Sequence, residues 1–401
     1  MRVIAATFVE ALAQLRIHRV RVMLSLVGVA VAVAALTASV AMGDIVRQTS
    51  IESMEQSSGR PATFGFSAYA MEGEPIDADA LIEEAEAIAD RYEIRYMSPV
   101  VWLGGQVQLG EVRTDAQVMG VGADYQEMHR IELVEGRWFV ESDAERLAPV
   151  VVVNRYVMDM LGVSSVAQHP TIAMPDGSSA VVVGVVDGGM YSGYPYVFGL
   201  PDTAIALSGS DPASAQPTIE MWVPEESADA VQTMVTRDLQ GAFPDAQVDA
   251  YRQDYAAYFD EMGDPTEVLR LVLLGISGVV LLLGALSLVN IAVITVRHRV
   301  RELGIRRAFG ASLSRVFVGV MLESVVGTVV AGVVGIMLVV LAYRFLLVDQ
   351  VIPLGLPGDL PAFPVAAAVV GLVVATAVGA IAGLIPAIVA VRSKVIDAIR
   401  F

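Results

Sequence analysis

The chain has 401 residues, of which 55% are hydrophobic and only 17% charged, and its formal net charge is −18. This composition is typical of a membrane protein that also carries a water-exposed domain, and the acidic balance argues against nucleic acid as a partner. No cysteine is present, which excludes disulfides, thiolate catalysis and cysteine metal sites. The single lysine, Lys394, follows Arg392 and Ser393 rather than a glycine-rich turn, so this sequence contains no P-loop for ATP.

The first elements in the chain predict a membrane anchor. Residues 1–19 are predicted to form a cytoplasmic amphipathic helix, because apolar residues recur at helical spacing between Ile4 and Leu15. Residues 20–43 are apolar and, at about 1.5 Å per residue, long enough to cross a hydrocarbon layer of about 30 Å. A cleaved signal peptide is the alternative, but the apolar core of a signal is usually shorter, about 7–15 residues.

Residues 44–263 are predicted to form an extracytoplasmic α+β domain, inserted between the first and second transmembrane helices. Its first part, to about Gly73, is rich in Gly and Ser and is predicted to be irregular, and residues 190–216 are predicted to form a long loop. The periodicity predicts two helices, one over 78–92 and one capped by Ser227, and strands over 100–109, 117–122, 149–153, 180–186 and 217–223, with a turn at 187–189.

A search for catalytic sets in this domain gives no candidate. Its histidines, His129 and His169, are each predicted to lie at the surface or in a satisfied core, and Asp143 and Glu145 to belong to a solvated face. Neither a GxSxG sequence around Ser192 nor an HExxH sequence occurs. We therefore predict that the chain is not an enzyme, and a membrane-anchored extracytoplasmic enzyme stays as an alternative.

The second span has a clear start signal, with Asp264 as a cap, Pro265 at the first helical position and Glu267 after it. Its apolar run is longer than a bilayer needs, which predicts a stalk. The predicted boundaries are transmembrane helix 2 with its stalk at 264–296, a cytoplasmic coupling loop or helix at 297–315, transmembrane helix 3 at 316–347, an extracytoplasmic loop at 348–363, transmembrane helix 4 at 364–391 and a cytoplasmic tail at 392–401.

Small and polar residues mark faces of these spans. Asn290 is predicted to hold helices together, and Glu323 either bonds to another span or reaches the cytoplasmic surface and Arg315. Seven glycines predict close helix contact: Gly275, Gly278, Gly327, Gly332, Gly335, Gly379 and Gly383.

The stretch between the second and third spans contains five arginines within eleven residues. Charge of this density stays out of hydrocarbon, and such positive loops face the cytoplasm. The same rule predicts that both termini are cytoplasmic and that residues 44–263 lie outside. The arginines are Arg297, Arg299, Arg301, Arg306 and Arg307.

The stretch from Asn290 to Ser312, NIAVITVRHRVRELGIRRAFGAS, resembles the cytoplasmic signature of FtsX-like/MacB-like ABC transporter permeases. We expect a separate ATPase rather than a fused ATPase domain, unlike in some members of that family. The resemblance continues at LVEGRWF (133–139), VVVNRYVMDMLG (151–162), Glu323-Ser324, Pro386-Ala387 and Arg392.

This resemblance implies a permease subunit with four transmembrane helices in the bacterial inner membrane, where it contacts membrane lipid. It also implies that the subunit forms a homodimer or pairs with a sister permease. It implies a separate ABC ATPase that binds ATP and Mg, and no cofactor or metal in this chain. The implied function is export or extraction of a lipoprotein, peptide, drug or lipid. The alternative is mechanotransmission to a partner such as a cell-wall hydrolase, and a membrane-fusion protein is a further implied partner. The residues implied to couple to the ATPase are Arg297, Arg299, Arg301, Glu302, Gly304, Ile305, Arg306, Arg307, Ala308, Gly310, Ala311 and Ser312.

Overall fold

A computed structural model describes residues 19–71, 76–186, 191, 193–212, 215–298, 305, 312–348 and 361–392. The predicted helix at 1–19, the turn at 187–189 and most of the loop at 348–363 and of the tail at 392–401 lie outside these residues. The described helices are α1 (Arg19–Ser58), α2 (Ala78–Arg91), α3 (Tyr125–Met128), α4 (Arg155–Leu161), α5 (Pro201–Ser208), α6 (Ala228–Ala242), α7 (Tyr255–Met262), α8 (Pro265–His298), α9 (Leu313–Ala342) and α10 (Val365–Arg392). The described strands are β1 (Thr63–Ala70), β2 (Tyr96–Leu109), β3 (Val112–Val121), β4 (Leu133–Gly136), β5 (Val150–Asn154), β6 (Thr171–Ala173), β7 (Ser179–Val186), β8 (Tyr196–Gly199), β9 (Thr218–Trp222) and β10 (Ala246–Arg252).

The chain divides into two compact units. One contains α8, α9, α10 and the part of α1 up to Gln48, and the other contains Thr49–Asp264. Within the described residues, four helices are long and apolar enough to cross a membrane, namely α1, α8, α9 and α10. The predicted class, four membrane helices with an α+β domain between the first and second, is confirmed.

The α+β unit is built on one mixed sheet, which has ten strands within the described residues. The strand order is β10-β1-β9-β2-β3-β8-β5-β7-β4, and β6 pairs with β2 and β7. Neighbouring strands are antiparallel except β3 with β8 and β5 with β7. The long hairpin β2–β3 pairs continuously from Val100 opposite Val121 to Leu109 opposite Val112, so it is the shared centre of the sheet.

Alternation of apolar residues along the strands produces separate cores in this unit. Phe64 and Phe66 on β1 pack with Ile219 on β9 against α2 and α6. A second core joins β2, β3, β5 and β7 to α4 and α5, and a third is an aromatic cluster that contains Trp138 and Phe198. Burial of a side chain of this size contributes about 1.5–3 kcal/mol, so these faces determine the register of the strands.

Three local predictions for this unit are wrong. The segment to Gly73 is not irregular, because α1 continues to Ser58 and β1 follows. The predicted loop at 190–216 contains β8 and α5, and α5 begins with Pro201 at a position where proline is favoured. Ser227 makes no capping bond to α6, because its hydroxyl donates to the carbonyl oxygen of Pro224 (3.2 Å).

Helices α9 and α10 pack through small residues spaced four apart on each helix. A methyl group added at Gly332 would lie 2.7 Å from Cβ of Ala375, and one added at Gly383 would lie 2.9 Å from Cβ of Ser324. Between these contacts, Gly379 lies directly against the hydroxyl of Thr328. Such close approach of backbones supplies the van der Waals contact that associates helices in lipid, and it confirms the predicted contacts at these three glycines.

Helix α1 packs against the other three membrane helices. Its Ala30 carbonyl lies against Gly335 of α9, and its Thr37 hydroxyl lies against Gly371 of α10. On its α8 side, Ser39 and Ser277 share a hydrogen bond between their hydroxyls (2.5 Å). The contacts predicted at Gly327 and Gly335 are thus present, since a methyl group at Gly327 would lie 3.2 Å from Cδ2 of Leu26, another α1 residue.

The contacts predicted at two glycines of α8 are wrong within this chain. Among the described residues, no other heavy atom lies within 4 Å of a methyl group placed at Gly275 or Gly278. The glycine that α8 does use is Gly284, where such a group would lie 3.0 Å from Cβ of Ala32 on α1. Periodicity alone could not distinguish these positions, because small residues occur around much of the helix.

Candidate functional site

The candidate site is the arginine-rich segment between α8 and α9. The structure describes Arg297, Ile305 and Ser312 of the residues predicted there, together with Asn290 and Glu323 in the flanking helices. Arg299, Arg301, Glu302, Gly304, Arg306, Arg307, Ala308, Gly310 and Ala311 lie outside the described residues.

The ends of the helices that flank this segment lie together at one end of the bundle. Val296 at the end of α8, Val316 at the start of α9 and Ala390 at the end of α10 form one buried apolar cluster. At the opposite end, Ala41 and Ile45 of α1 pack with Ala367 of α10 and with Tyr343. The four membrane helices therefore alternate in direction, as the predicted topology requires.

The end that carries the segment is positively charged. Arg297, Arg315 and Arg392 are all exposed there, and each follows or precedes a residue of the buried cluster by no more than two positions. Guanidinium groups offer planar, bidentate donors that suit carboxylates, so this end matches an acidic protein surface.

Ser312 has a local structural role that the sequence analysis did not predict. Its backbone is extended, and its hydroxyl accepts a hydrogen bond from the Arg315 amide (3.4 Å), so it caps α9. A cap of this kind contributes about 0.5–2 kcal/mol. The SxxR spacing before an apolar run was the available signal. Ser312 fixes where the segment ends and the helix begins.

The two polar residues predicted within the spans lie in different environments. Glu323 is half-buried in α9, next to Ser324, which contacts Gly383 of α10. Asn290 is on an exposed face of α8, whereas Leu288, two residues earlier, is buried in the bundle core. Exposed Ile305 is an apolar side chain within the arginine-rich segment.

The histidines and acids singled out in the sequence of the α+β unit lie in different environments. His129 is a satisfied core residue and His169 is exposed, as predicted. The prediction that Asp143 belongs to a solvated face is wrong. Arg137 donates to both of its carboxylate oxygens (2.6 and 2.7 Å), which lowers the pKa of this buried carboxyl, whereas Glu145 is exposed.

Functional residues that sequence reasoning missed lie in the last turns of α1. Glu55 and Glu52 pair with Arg130 (2.9 and 3.8 Å), and the Arg60 amide donates to the Met128 carbonyl oxygen (3.0 Å). Residues 44–58 carry few apolar side chains, and the contacts that fix them are polar. A search for hydrophobic periodicity therefore had no signal to detect there.

Two family models match this chain in sequence order. The model of the MacB-like periplasmic core domain matches residues 22–238, and that of the FtsX-like permease C-terminal region matches residues 274–395. The first covers more than half of the chain and the second covers the candidate segment.

Curated relatives agree with these matches at low identity. The chain is 26% identical over 408 residues to the macrolide export ATP-binding/permease protein MacB of Nitrobacter winogradskyi, covering 97% of this chain and 59% of that protein. It is 25% identical over 337 residues to MacB of Bartonella quintana, covering 82% and 50%. It is 24% identical over 405 residues to the probable syringafactin export ATP-binding/permease protein SyfD of Pseudomonas syringae pv. tomato, covering 95% and 57%. The chain spans about half the length of the curated relatives that it matches.

Proposed function

Because this chain belongs to the family of MacB-like and FtsX-like ABC transporter permeases, we propose that it is a membrane subunit driven by a separate ATPase. In this proposal, ATP hydrolysis by that partner moves the α+β domain for export or extraction of a substrate. The observation that carries the proposal is the arginine-rich segment, which follows α8 and precedes α9 at the positive end of the bundle. Curated relatives are named for macrolide export and for syringafactin export, which supports export of a drug, peptide, lipid or lipoprotein.

The proposed mechanical step begins with docking of the segment on the ATPase. Arg306 and its neighbours bind carboxylates of the partner, and Glu302 binds a basic group. ATP and Mg are bound by that partner. A shift of the segment reaches α8 and α9 directly, since it is covalently joined to both. The seam of small residues between α9 and α10 makes those two helices move together.

The proposed assembly contains two permease subunits, either two copies of this chain or this chain with a sister permease. Exposed Asn290 on α8 supports such a pairing, because a polar side chain inside a span favours a hydrogen-bonding partner on another helix. We place the protein in a bacterial inner membrane with both termini and the segment in the cytoplasm. The positive-inside rule supports this orientation.

The orientation is tested by labelling. Because the chain has no cysteine, Ile305→Cys introduces a single thiol at an exposed position of the segment. In intact cells or right-side-out vesicles, a membrane-impermeant maleimide is expected to leave this thiol unlabelled until the membrane is permeabilised. Ala230→Cys, at an exposed position of α6, is the matched control and is expected to react without permeabilisation. Labelling of both thiols from the outside would contradict the proposal.

The coupling role is tested by ATP hydrolysis. In nanodiscs that contain this chain and its ATPase, Arg306→Ala and Glu302→Ala are each expected to reduce the chain-dependent stimulation of hydrolysis about tenfold or more. The reason is that a hydrogen bond to a charged group contributes about 1.5–3 kcal/mol, and 1.4 kcal/mol is tenfold in affinity. Arg113→Ala, at an exposed arginine of β3 in the α+β unit, is the control. Unchanged stimulation in the segment variants would show that the arginines only orient the chain.

A further inference from the structure

The last turn of α1 is fixed in the α+β unit through one backbone carbonyl group. The final four carbonyl groups of a helix have no partner within the helix. One of them, the Gln56 carbonyl oxygen, accepts hydrogen bonds from Nδ1 of His129 (3.1 Å) and from the hydroxyl of Tyr191 (3.0 Å). Both donors are buried side chains of the same unit. One of the hydrogen bonds that hold the end of α1 therefore depends on the orientation of the His129 ring.

The other ring nitrogen of His129 faces an acid. Nε2 lies 2.6 Å from Oε2 of Glu220 on β9, and the side chains are 0% and 6% exposed. Tyr125 stacks on the ring with centroids 3.9 Å apart, which prevents it from tilting out of this plane. The imidazole is thus placed between a carbonyl oxygen on one side and a carboxyl group on the other.

This geometry determines how many protons the pair holds. A carbonyl oxygen only accepts, so Nδ1 must carry a hydrogen. The short contact between Nε2 and Oε2 then needs one further proton, located on the histidine or on the glutamate. Without that proton, two lone pairs would face each other at 2.6 Å in a buried site, which is unfavourable because neither atom has another partner among the described residues to replace water there.

Loss of the shared proton has a defined structural consequence. The neutral imidazole has one hydrogen, and the strongest available acceptor is the carboxylate of Glu220. Moving that hydrogen to Nε2 leaves a bare Nδ1 against the Gln56 carbonyl oxygen, and the bond that fixes the helix end is lost. The pair can keep both bonds only while it is protonated.

We propose that His129 is a positioning residue for the last turn of α1, and that its hydrogen bond to the Gln56 carbonyl group is made only while the His129–Glu220 pair holds its shared proton. The inference rests on the proposed function in one respect, because it identifies where movement of α1 enters the moving domain. In this inference, the hydrogen bond between His129 and the Gln56 carbonyl group depends on that proton. Loss of that proton removes this hydrogen bond, and the last turn of α1 is then held by Tyr191 and by the pairing of Glu55 with Arg130, without His129.

The surroundings contain other titratable and charged groups. Burial raises the pKa values of Tyr125, Tyr191 and Tyr251, and that of Tyr196 to about 12, so these phenols stay neutral between pH 6 and 9. Burial also raises the pKa of Asp124, at the start of α3. Arg130 pairs with Glu55 in the last turn of α1 (2.9 Å), and this hydrogen bond raises the pKa of Arg130. The groups that interact electrostatically with Glu220 are thus Tyr125, Tyr191 and Tyr251, and Arg130 follows His129 in the chain.

The test measures the position of the helix end directly. In the cysteine-free chain, Ser53→Cys on α1 and Ala230→Cys on α6 provide two spin-label positions within the same unit. Distances are measured by pulsed electron spin resonance on the full chain in nanodiscs of phosphatidylethanolamine and phosphatidylglycerol, at several pH values from 6 to 10. We expect one narrow distance population at pH 6 and a second one that grows at higher pH. The ratio of the second to the first is expected to rise with pH by no more than about tenfold per pH unit, which is the slope for one proton.

Two substitutions separate this role from a merely structural one. Glu220→Gln is expected to keep the narrow population up to pH 10, because the amide can donate to Nε2 while Nδ1–H keeps its bond to Gln56. His129→Ala is expected to show the second population at every pH, and the ratio of the two populations is expected not to change with pH. Glu225→Gln, the same change at an exposed glutamate three residues beyond β9, is the control and should retain the wild-type profile.

An unchanged wild-type distance between pH 6 and 10, or a wild-type slope in Glu220→Gln, would overturn the inference. If His129→Ala does not fold, the comparison of wild type with Glu220→Gln decides alone. No ATPase is present in this experiment. Failure of the coupling test at Arg306 would therefore leave this result unaffected, and the two proposals fail independently.

Discussion

Replacing Gly335 with alanine is expected to destabilise the membrane bundle by about 1–3 kcal/mol, and replacing it with leucine to prevent α9 from packing on α1. The added methyl group would overlap the carbonyl oxygen of Ala30 and would lie 3.2 Å from the amide nitrogen of Ala34. Both are backbone atoms of α1, so no side-chain rotation can relieve the clash. One helix must move away from the other, and the contacts of the neighbouring residues are lost with it.

The measurement is loss of helicity of the full chain in mixed micelles as the proportion of sodium dodecyl sulfate is raised. Gly319→Ala is the matched control, because it lies on the same helix and no other described heavy atom is within 4 Å of the added methyl group. Alanine also favours a helix over glycine, so Gly319→Ala is expected to be neutral or slightly stabilising. Equal midpoints for the two variants would show that α1 and α9 are not in close contact in the membrane.

Replacing Asp254 with alanine is expected to destabilise the α+β unit by about 2–5 kcal/mol. Its Oδ2 accepts hydrogen bonds from the Ala62 amide and from Nε of Arg252 (both 2.6 Å), and its Oδ1 caps α7 through the Ala257 amide (3.0 Å). Without the carboxylate, the fully buried Ala62 amide is left unpaired, which costs about 1–3 kcal/mol, and loss of the cap adds about 0.5–2 kcal/mol.

This prediction is measured by urea unfolding of the full chain in detergent, followed by tryptophan fluorescence. The three tryptophans of the chain, Trp102, Trp138 and Trp222, all lie in the α+β unit, so the signal reports that unit alone. Asp249→Ala, at an exposed position of the neighbouring β10, is the control and is expected to change the free energy of unfolding by less than about 0.5 kcal/mol. A similar small change for Asp254→Ala would mean that the buried carboxylate does not stabilise this junction.

Much of the architecture was predictable because it depends on signals that are strong in a single sequence. Runs of apolar residues define the membrane helices by length alone. In the α+β unit, Leu81, Ala85 and Ile88 have the spacing of a helix, and α2 contains all three as buried residues. The alternation of apolar with other residues along β2 and β7 was an equally clear signal. These elements bury apolar side chains on one face, so the spacing of apolar residues along the sequence predicts them directly.

The parts that were missed are stabilised by other forces. The end of α1 is fixed by Arg130, His129 and a backbone carbonyl group, none of which gives a periodic pattern. Strand β1 alternates Phe64 and Phe66 with Gly65 and Ser67, and those small residues made the segment resemble a loop. The pairing of His129 with Glu220 joins residues 91 positions apart, and a single sequence contains no signal for such a contact.

The way in which α8 is seated has a consequence for how force can travel. Of its described residues, only Ser277, Gly284, Leu288 and Val296 are buried, whereas half of its leucines and valines are exposed. On the side of α1, Gly284 contacts Gly28 and Ala32, so the two backbones approach closely at this position. Axial sliding of α8 past α1 would have to move Leu288 past Val29 and Val33, which share its buried cluster, and to break the hydrogen bond between Ser39 and Ser277.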